Sequence, residues 1–304
     1  MAGHAEDEMA TGRKRSPAAP PHVLILGSVS RDVIRGRGRQ ACQIGGTVWF
    51  AGTTLAGLGL RVSVLTRLAA ADRHVAEAFG AAGVTLHAVS SPVTTEFHNI
   101  YGPGGRDDRR QAVGALAPPI EWRELAARLD DVDAIYLGAL HPGDIAASAL
   151  ELLLSRHRRH MAMDVQGFTR RIAGAEVRAE VAPVLARLLL RARTIKASRR
   201  EAALITGEAA PEAAARRLAA LSGASEVLVT CGADGALLAE GARLHREAAA
   251  RSDGVDPTGA GDMLLAAYLA RRLIGEAPVP SLSFAVSHTA LRLADPARIV
   301  PLGG

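Results

Sequence analysis

The chain has 304 residues, 48% of them hydrophobic, enough to bury the core of one large domain. Its formal charge is +5, yet the arginines are scattered beside acidic residues, as in Arg123-Glu124 and Arg199-Arg200-Glu201, and aromatic residues make up only 3%. This pattern excludes a nucleic-acid groove, and the absence of any apolar run near ~18 residues excludes a membrane span. A basic surface suited to a polyphosphate ligand remains.

Residues 1–20 mix charges and contain no apolar stretch, so they are expected to be a disordered tail rather than a signal peptide, on a cytoplasmic protein. Residues 21–304 read as the working domain. His22 to Gly27 reads as a buried strand, Thr47 to Leu58 as a helix, Val62 to Thr66 as a strand and Asp72 to Ala82 as a helix. Strand–helix pairs follow: Ala134 to Leu137 with Ile145 to Arg156, then Met161 to Val165 with Pro183 to Leu190, where Pro183 suits a first helical turn. Thr194 to Ala197 precedes a helix from Arg199, and Val227 to Thr230 precedes a hairpin and a helical segment within 256–274. This alternation predicts an α/β fold with a mostly parallel sheet covered on both faces. Cys42 and Cys231 fit neither a disulfide framework nor a metal motif.

Two regions, 31–44 and 94–113, have no helical period. The second alternates Phe97, Asn99 and Tyr101, turns at Gly102-Pro103-Gly104-Gly105 and resumes to Val113, which is a hairpin pattern. Insertions at the ligand-binding edge of a parallel sheet predict a small β lid, whose exposed edge leaves room for a homodimer. Asn99 would face the substrate from that lid, and His141, Asp164 and Gln166 end or follow strands at the same edge.

The most informative stretch is Asp256-Pro257-Thr258-Gly259-Ala260-Gly261-Asp262, followed at once by the apolar run 263–269. If a helix starts there, successive backbone N–H groups converge on one spot with the positive end of the helix dipole behind them, an anion hole suited to phosphate. Asp262 falls in the first turn, where those donors are expected to keep it ionised, able to accept a proton from an attacking hydroxyl. The stretch lacks the Lys-Ser/Thr pair of a Walker A loop and the spacing of a dinucleotide fingerprint. The bland alternative is a capped helix after a glycine loop.

This stretch resembles the C-terminal signature of the ribokinase-like (PfkB) carbohydrate kinases. Gly27 to Asp32, Gly45-Gly46 with the helix to Gly59, Glu201 with Leu204-Ile205-Thr206-Gly207, and Val229 to Gly235 are similar to further segments of that family in the same order. The resemblance implies a ribokinase-like three-layer fold and transfer of the γ-phosphoryl group of Mg·ATP to a hydroxyl of a sugar or polyol. It implies that Asp262 is the catalytic base and that Gly259, Ala260 and Gly261 stabilise the transferred group. Asp32, Gly45 and Gly46 would contact the substrate, and Ser198, Thr230, Gly232 and Gly235 the nucleotide. Glu201 would act on Mg²⁺ through water, and Asp256 would belong to a site for a monovalent cation such as K⁺. Ser198 stands where the family has asparagine, and Trp49-Phe50 where a sugar-binding asparagine is expected; both aromatics are read here as substrate-binding. The aromatic pair and the segment Lys196 to Ala202 are similar to the branch containing myo-inositol kinases, which favours an inositol-like polyol. The rivals are a nucleoside kinase, with an aromatic stacked on the base, and a non-catalytic ligand-binding protein on the same fold.

Overall fold

The computed structural model describes residues 19–36, 39–101, 109–156, 160–250 and 256–302. The expected tail and the Gly102–Gly105 turn lie outside these, apart from residues 19 and 20, which are irregular. In the first strand, β1 (His22–Leu26), alternate side chains enter two different cores. That is what a strand covered on both faces requires, and it explains why the run is apolar rather than alternating.

The chain then leaves the main sheet for the hairpin β2 (Ser30–Gly36) and β3 (Arg39–Gly45), and returns through α1 (Thr47–Gly57), β4 (Arg61–Ala69), α2 (His74–Ala81) and β5 (Thr85–Ser91). A second excursion forms β6 (Thr95–Tyr101) and β7 (Arg109–Ala115), after which α3 (Trp122–Ala126), β8 (Ala134–Leu137), α4 (Ala147–Arg156) and β9 (His160–Asp164) extend the main sheet. A third excursion, β10 (Arg170–Ala173) and β11 (Glu176–Ala179), precedes α5 (Leu185–Leu189), β12 (Thr194–Ser198), α6 (Arg199–Thr206), α7 (Pro211–Leu221) and β13 (Glu226–Thr230). The antiparallel strands β14 (Ala236–Glu240) and β15 (Arg243–Glu247), then α8 (Ala260–Leu273) and α9 (Pro278–Ala294), complete the fold.

The main sheet has nine strands in the order β15-β14-β13-β12-β9-β8-β1-β4-β5, parallel from β13 to β5. Helices α1, α2, α8 and α9 pack on one face, where Val23 and Ile25 of β1 join their core. The other face, with Leu24 and Leu26, is covered by α3 to α7. The result is the three-layer α/β arrangement that the alternation implied. Among the described residues no helix is long and apolar enough to cross a membrane.

The three excursions build a separate six-stranded lid sheet, ordered β10-β11-β7-β6-β2-β3. The C-terminal segment lies along the outer edge of β3, with Ile44 N–H donating to Val300 O at 2.9 Å and Leu302 N–H to Cys42 O at 2.8 Å. Several elements differ from expectation. The helix expected over 183–190 is only Leu185–Leu189, with Pro183 in the turn before it, and α2 starts at His74 after a short 3₁₀ turn at 70–72. Strands β5, β10 and β11 and helices α3, α7 and α9 are additions.

Candidate active site

Helix α8 carries an unbroken buried run from Met263 to Ala270, so its N-terminus is anchored by the core rather than by a side-chain cap. Gly259 supplies the turn into it with φ 78°, a left-handed conformation that favours glycine. A Cβ there would sit 2.3 Å from Cγ of Phe50, whose ring lies against the turn. Gly259→Ala is therefore expected to lose about 1–3 kcal/mol in urea unfolding and to lower kcat, because the backbone strain and the collision both displace the turn. Ala260 N–H donates to Pro257 O at 3.0 Å, and Met263 N–H to Gly259 O at 2.9 Å. The amides of Gly261 and Asp262 are the first-turn donors that helix geometry leaves without an upstream acceptor.

These amides face a cleft of about 200 Å³ between the main sheet and the lid. Asp32, Phe97, Asn99 and Gln111 enter it from the lid, and Gly46, Thr47 and Phe50 from the start of α1. Gln166, Arg170 and Lys196 line it beside the turn 257–262. On the lid, Gln111 Nε2 donates to Asn99 Oδ1 at 3.0 Å, and at its root Ser30 Oγ donates to Asp32 Oδ1 at 2.7 Å. Gly45 lets that carboxylate in, since a Cβ on it would lie 2.3 Å from Asp32 Oδ2.

The sequence reading had Asp262 ionised at neutral pH, and the structure corrects this. Burial, reinforced by the nearby Asp164 carboxylate, pushes its pKa up to about 7, against the opposing pull of Lys196 and the Thr47 hydroxyl. Removal from water thus outweighs the pull of the nearby ammonium and hydroxyl. A carboxylate near neutrality can both take up and give back a proton at working pH.

Lys196 and Asp164 are direct neighbours across β12 and β9, with Nζ to Oδ2 at 2.8 Å, and both are buried. Burial alone would depress the lysine, but Asp164, Glu201 and Asp262 outweigh it and hold its pKa above the usual value. The ammonium lies where a Cβ on Gly261 would come within 2.5 Å of Nζ. The ammonium and the α8 N-terminus thus stand side by side on the cleft wall, an arrangement suited to an anion.

Comparison with family models decides what this arrangement belongs to: the pfkB family carbohydrate kinase model matches residues 53–297. The chain belongs to the pfkB family of carbohydrate kinases. It is accordingly a phosphotransferase with an alcohol group as acceptor. No curated protein matches its sequence. Among solved structures, it is similar to a pyrophosphate-dependent kinase in the ribokinase family in a sulfate complex, at 24% identity and TM-score 0.82, over 90% of this chain and 96% of that one. A pyrophosphate-dependent kinase of the ribokinase family, complexed with a pyrophosphate analogue and myo-inositol, has 23% identity and TM-score 0.81 over 90% and 96%. Ribokinase from Thermotoga maritima has 17% identity and TM-score 0.71 over 92% and 96%. At these identities the likeness is one of fold.

Within this pfkB-family site, Asp32, Gly46, Phe50, Asn99, Gly259, Ala260, Gly261 and Asp262 share the cleft. Trp49 does not, contrary to the sequence reading. It is 4% exposed, packs edge-on against Phe79 at 5.1 Å, and donates its indole N–H to Arg298 O at 3.3 Å. Ser198, Thr230, Gly232 and Gly235 lie outside the cleft wall, at the ends of β12 and β13, where Ser198 pairs with Thr230. Arg199 clasps the turn beyond β13 through Cys231 O at 2.9 Å and Asp234 Oδ2 at 2.6 Å.

Glu201 and Ser198 form a reciprocal cap on α6. Ser198 N–H donates to Glu201 Oε2 at 2.6 Å and Glu201 N–H to Ser198 Oγ at 3.3 Å. Burial would raise the Glu201 pKa, but Lys196 and the Ser198 N–H hold it below the usual carboxylate value. His141 is buried against Asp144, Nε2 to Oδ1 at 2.7 Å, and does not line the cleft. Sequence reasoning missed Lys196, Arg170 and Gln111 as site residues. A lone lysine in Thr194-Ile195-Lys196-Ala197, matched by a lone aspartate in Met161-Ala162-Met163-Asp164, was the available signal.

Proposed function

We propose that this kinase transfers a phosphoryl group to a hydroxyl of a small cyclic polyol of the inositol type. The observation that carries the reading is Asp262, held near neutrality at the α8 N-terminus and facing a cleft with polar lid residues. The cleft, about 200 Å³, is smaller than the roughly 300–1,000 Å³ usual for drug-sized ligands, which favours a single-ring alcohol over a nucleoside. Trp49 is committed to the core and is not free to stack on a base, and the Phe50 ring on the cleft wall is braced against the Gly259 turn.

In this reading Asp32 and Asn99 hold ring hydroxyls and one hydroxyl oxygen attacks the terminal phosphorus of the donor. Its proton passes to Asp262 as the new O–P bond forms and the bridging P–O bond breaks, the electron pair leaving with the donor's remaining phosphate. The Gly261 and Asp262 amides and Lys196 stabilise the charge on the transferred group. Magnesium bound with the donor would supply charge neutralisation on the phosphates, and Glu201 is the carboxylate that would hold it through water. The donor expected from the family resemblance is ATP, with Ser198, Thr230, Gly232 and Gly235 along the nucleotide. Inorganic pyrophosphate is a second reading, favoured by Arg170 and Lys196 on the cleft wall beside the anion hole and by the donor that two structural neighbours use.

Initial rates with ATP or pyrophosphate, crossed with inositols, pentoses, hexoses and nucleosides, test both parts. An inositol is expected to give the highest kcat/KM. A nucleoside outperforming every polyol would overturn the acceptor assignment, and binding without turnover would restore the non-catalytic reading. A higher kcat/KM with pyrophosphate than with ATP, lost in a folded Arg170→Ala, would decide the donor for pyrophosphate; a higher kcat/KM with ATP would decide it for ATP.

A further inference from the structure

The resemblance implied a monovalent cation at Asp256, and the described residues around that turn do not fit one. The Asp256 carbonyl oxygen accepts a hydrogen bond from Arg298 Nη2 at 2.6 Å. Its carboxylate Oδ1 is occupied by Thr258, through the amide at 3.0 Å and the hydroxyl at 2.7 Å. The carbonyl oxygen and one of the two carboxylate oxygens that a cation would draw on therefore already have donors.

Arg298 is 6% exposed, and its place is fixed from several directions. Nε donates to Leu293 O at 3.4 Å, and its own carbonyl accepts the Trp49 indole N–H at 3.3 Å. The chain just beyond it is tied to β3 through Val300 and Leu302. The consecutive residues Trp49 and Phe50 brace the two halves of one assembly: Trp49 holds Arg298, and Phe50 supports Gly259. A guanidinium is permanently charged and less strongly hydrated than an ammonium, which suits a buried cation facing backbone carbonyls.

We propose that Arg298 is a positioning residue for phosphoryl transfer, its guanidinium standing where a monovalent cation would otherwise brace the anion-hole turn, so that this chain needs no potassium. The Asp256 carbonyl is held by Arg298, and the turn from Pro257 to Gly259 is thereby set so that the following amides face the cleft. The inference rests on the kinase reading above.

The test compares potassium, sodium and choline as the only monovalent cation, reading acceptor-dependent turnover and Tm. Wild-type values are expected to agree within about twofold in rate at equal ionic strength, because screening does not depend on which cation provides it. Arg298→Ala is expected to lose roughly 10- to 100-fold in kcat through misplacement of the turn. Potassium or dilute guanidinium, but not choline, should restore part of that loss and raise the variant's Tm, and Arg298→Lys should keep most of the activity without needing potassium.

Activation of the wild type by potassium over choline would overturn the proposal. So would a folded Arg298→Ala whose kcat and Tm ignore small cations. If Arg298→Ala does not fold, the salt series on the wild type and Arg298→Lys decides alone. Failure of the kinase reading shows separately, as no acceptor-dependent turnover in any salt, and the Tm response of Arg298→Ala still reports whether a cation seat has been opened.

Discussion

Replacing Asp262 with asparagine is expected to lower kcat by about 10²- to 10⁴-fold, the range spanned by a positioned general base. Asparagine keeps the shape of the side chain and loses only the ability to accept the proton, so substrate KM should change far less. In the wild type, activity should fall as pH drops through about 7, where the carboxylate takes up its proton. Stability should run the other way. Because the folded-state pKa is about 7 against the usual 3.8, the native protein binds this proton more tightly than the unfolded chain does. The group therefore favours folding at low pH, loses that contribution between about pH 4 and 7, and above that range burdens the native state with a buried charge. Asp262→Asn should accordingly unfold at higher temperature than wild type at pH 8. An inactive variant that is also less stable there would point to a structural role instead.

Lys196→Met is expected to have the second large effect, on stability and catalysis together. Removing one partner of a buried ion pair leaves Asp164 uncompensated, a loss of about 3–5 kcal/mol. Adding Asp164→Asn should recover most of that loss, because the amide oxygen can still accept the Gln166 N–H that Asp164 Oδ1 accepts at 3.0 Å. Activity should not return with it, because the cation beside Gly261 is still missing. Lys196 also pulls the Asp262 pKa down, so any residual turnover in Lys196→Met should need a higher pH. Urea unfolding and a pH–rate profile read these effects separately. Wild-type kcat in the folded double variant would remove Lys196 from the phosphoryl-transfer machinery.

The layered α/β core was legible because its strands are apolar throughout and its helices periodic; β1 and β8 could be marked to within a residue. The lid was only partly legible. Its β10–β11 hairpin, Arg170 to Ala179, is short and charged and pairs only with other lid strands, so neither hydrophobicity nor period marks it. The α8 turn was visible because backbone approach demands its glycines. What escaped depends on contacts between distant segments. Lys196 and Asp164 become a pair only once β9 and β12 lie side by side, and the raised Asp262 pKa follows from burial and Asp164. Trp49 and Phe50 could not be told apart as neighbours in sequence. Successive helical residues point about 100° apart, so one reaches the cleft and the other the core.

The central claim, that this site phosphorylates a polyol hydroxyl with Asp262 as base, is tested most directly by product analysis. Wild type and Asp262→Asn would be incubated with myo-inositol and each donor, ATP and pyrophosphate, and the phosphorylated alcohol quantified by mass spectrometry. The account predicts a phosphoinositol that accumulates with wild type, requires the acceptor, and nearly vanishes with the variant. Equal product from both proteins would contradict the role of Asp262, and no phosphorylated product from any ring alcohol with either donor would contradict the assignment of the acceptor.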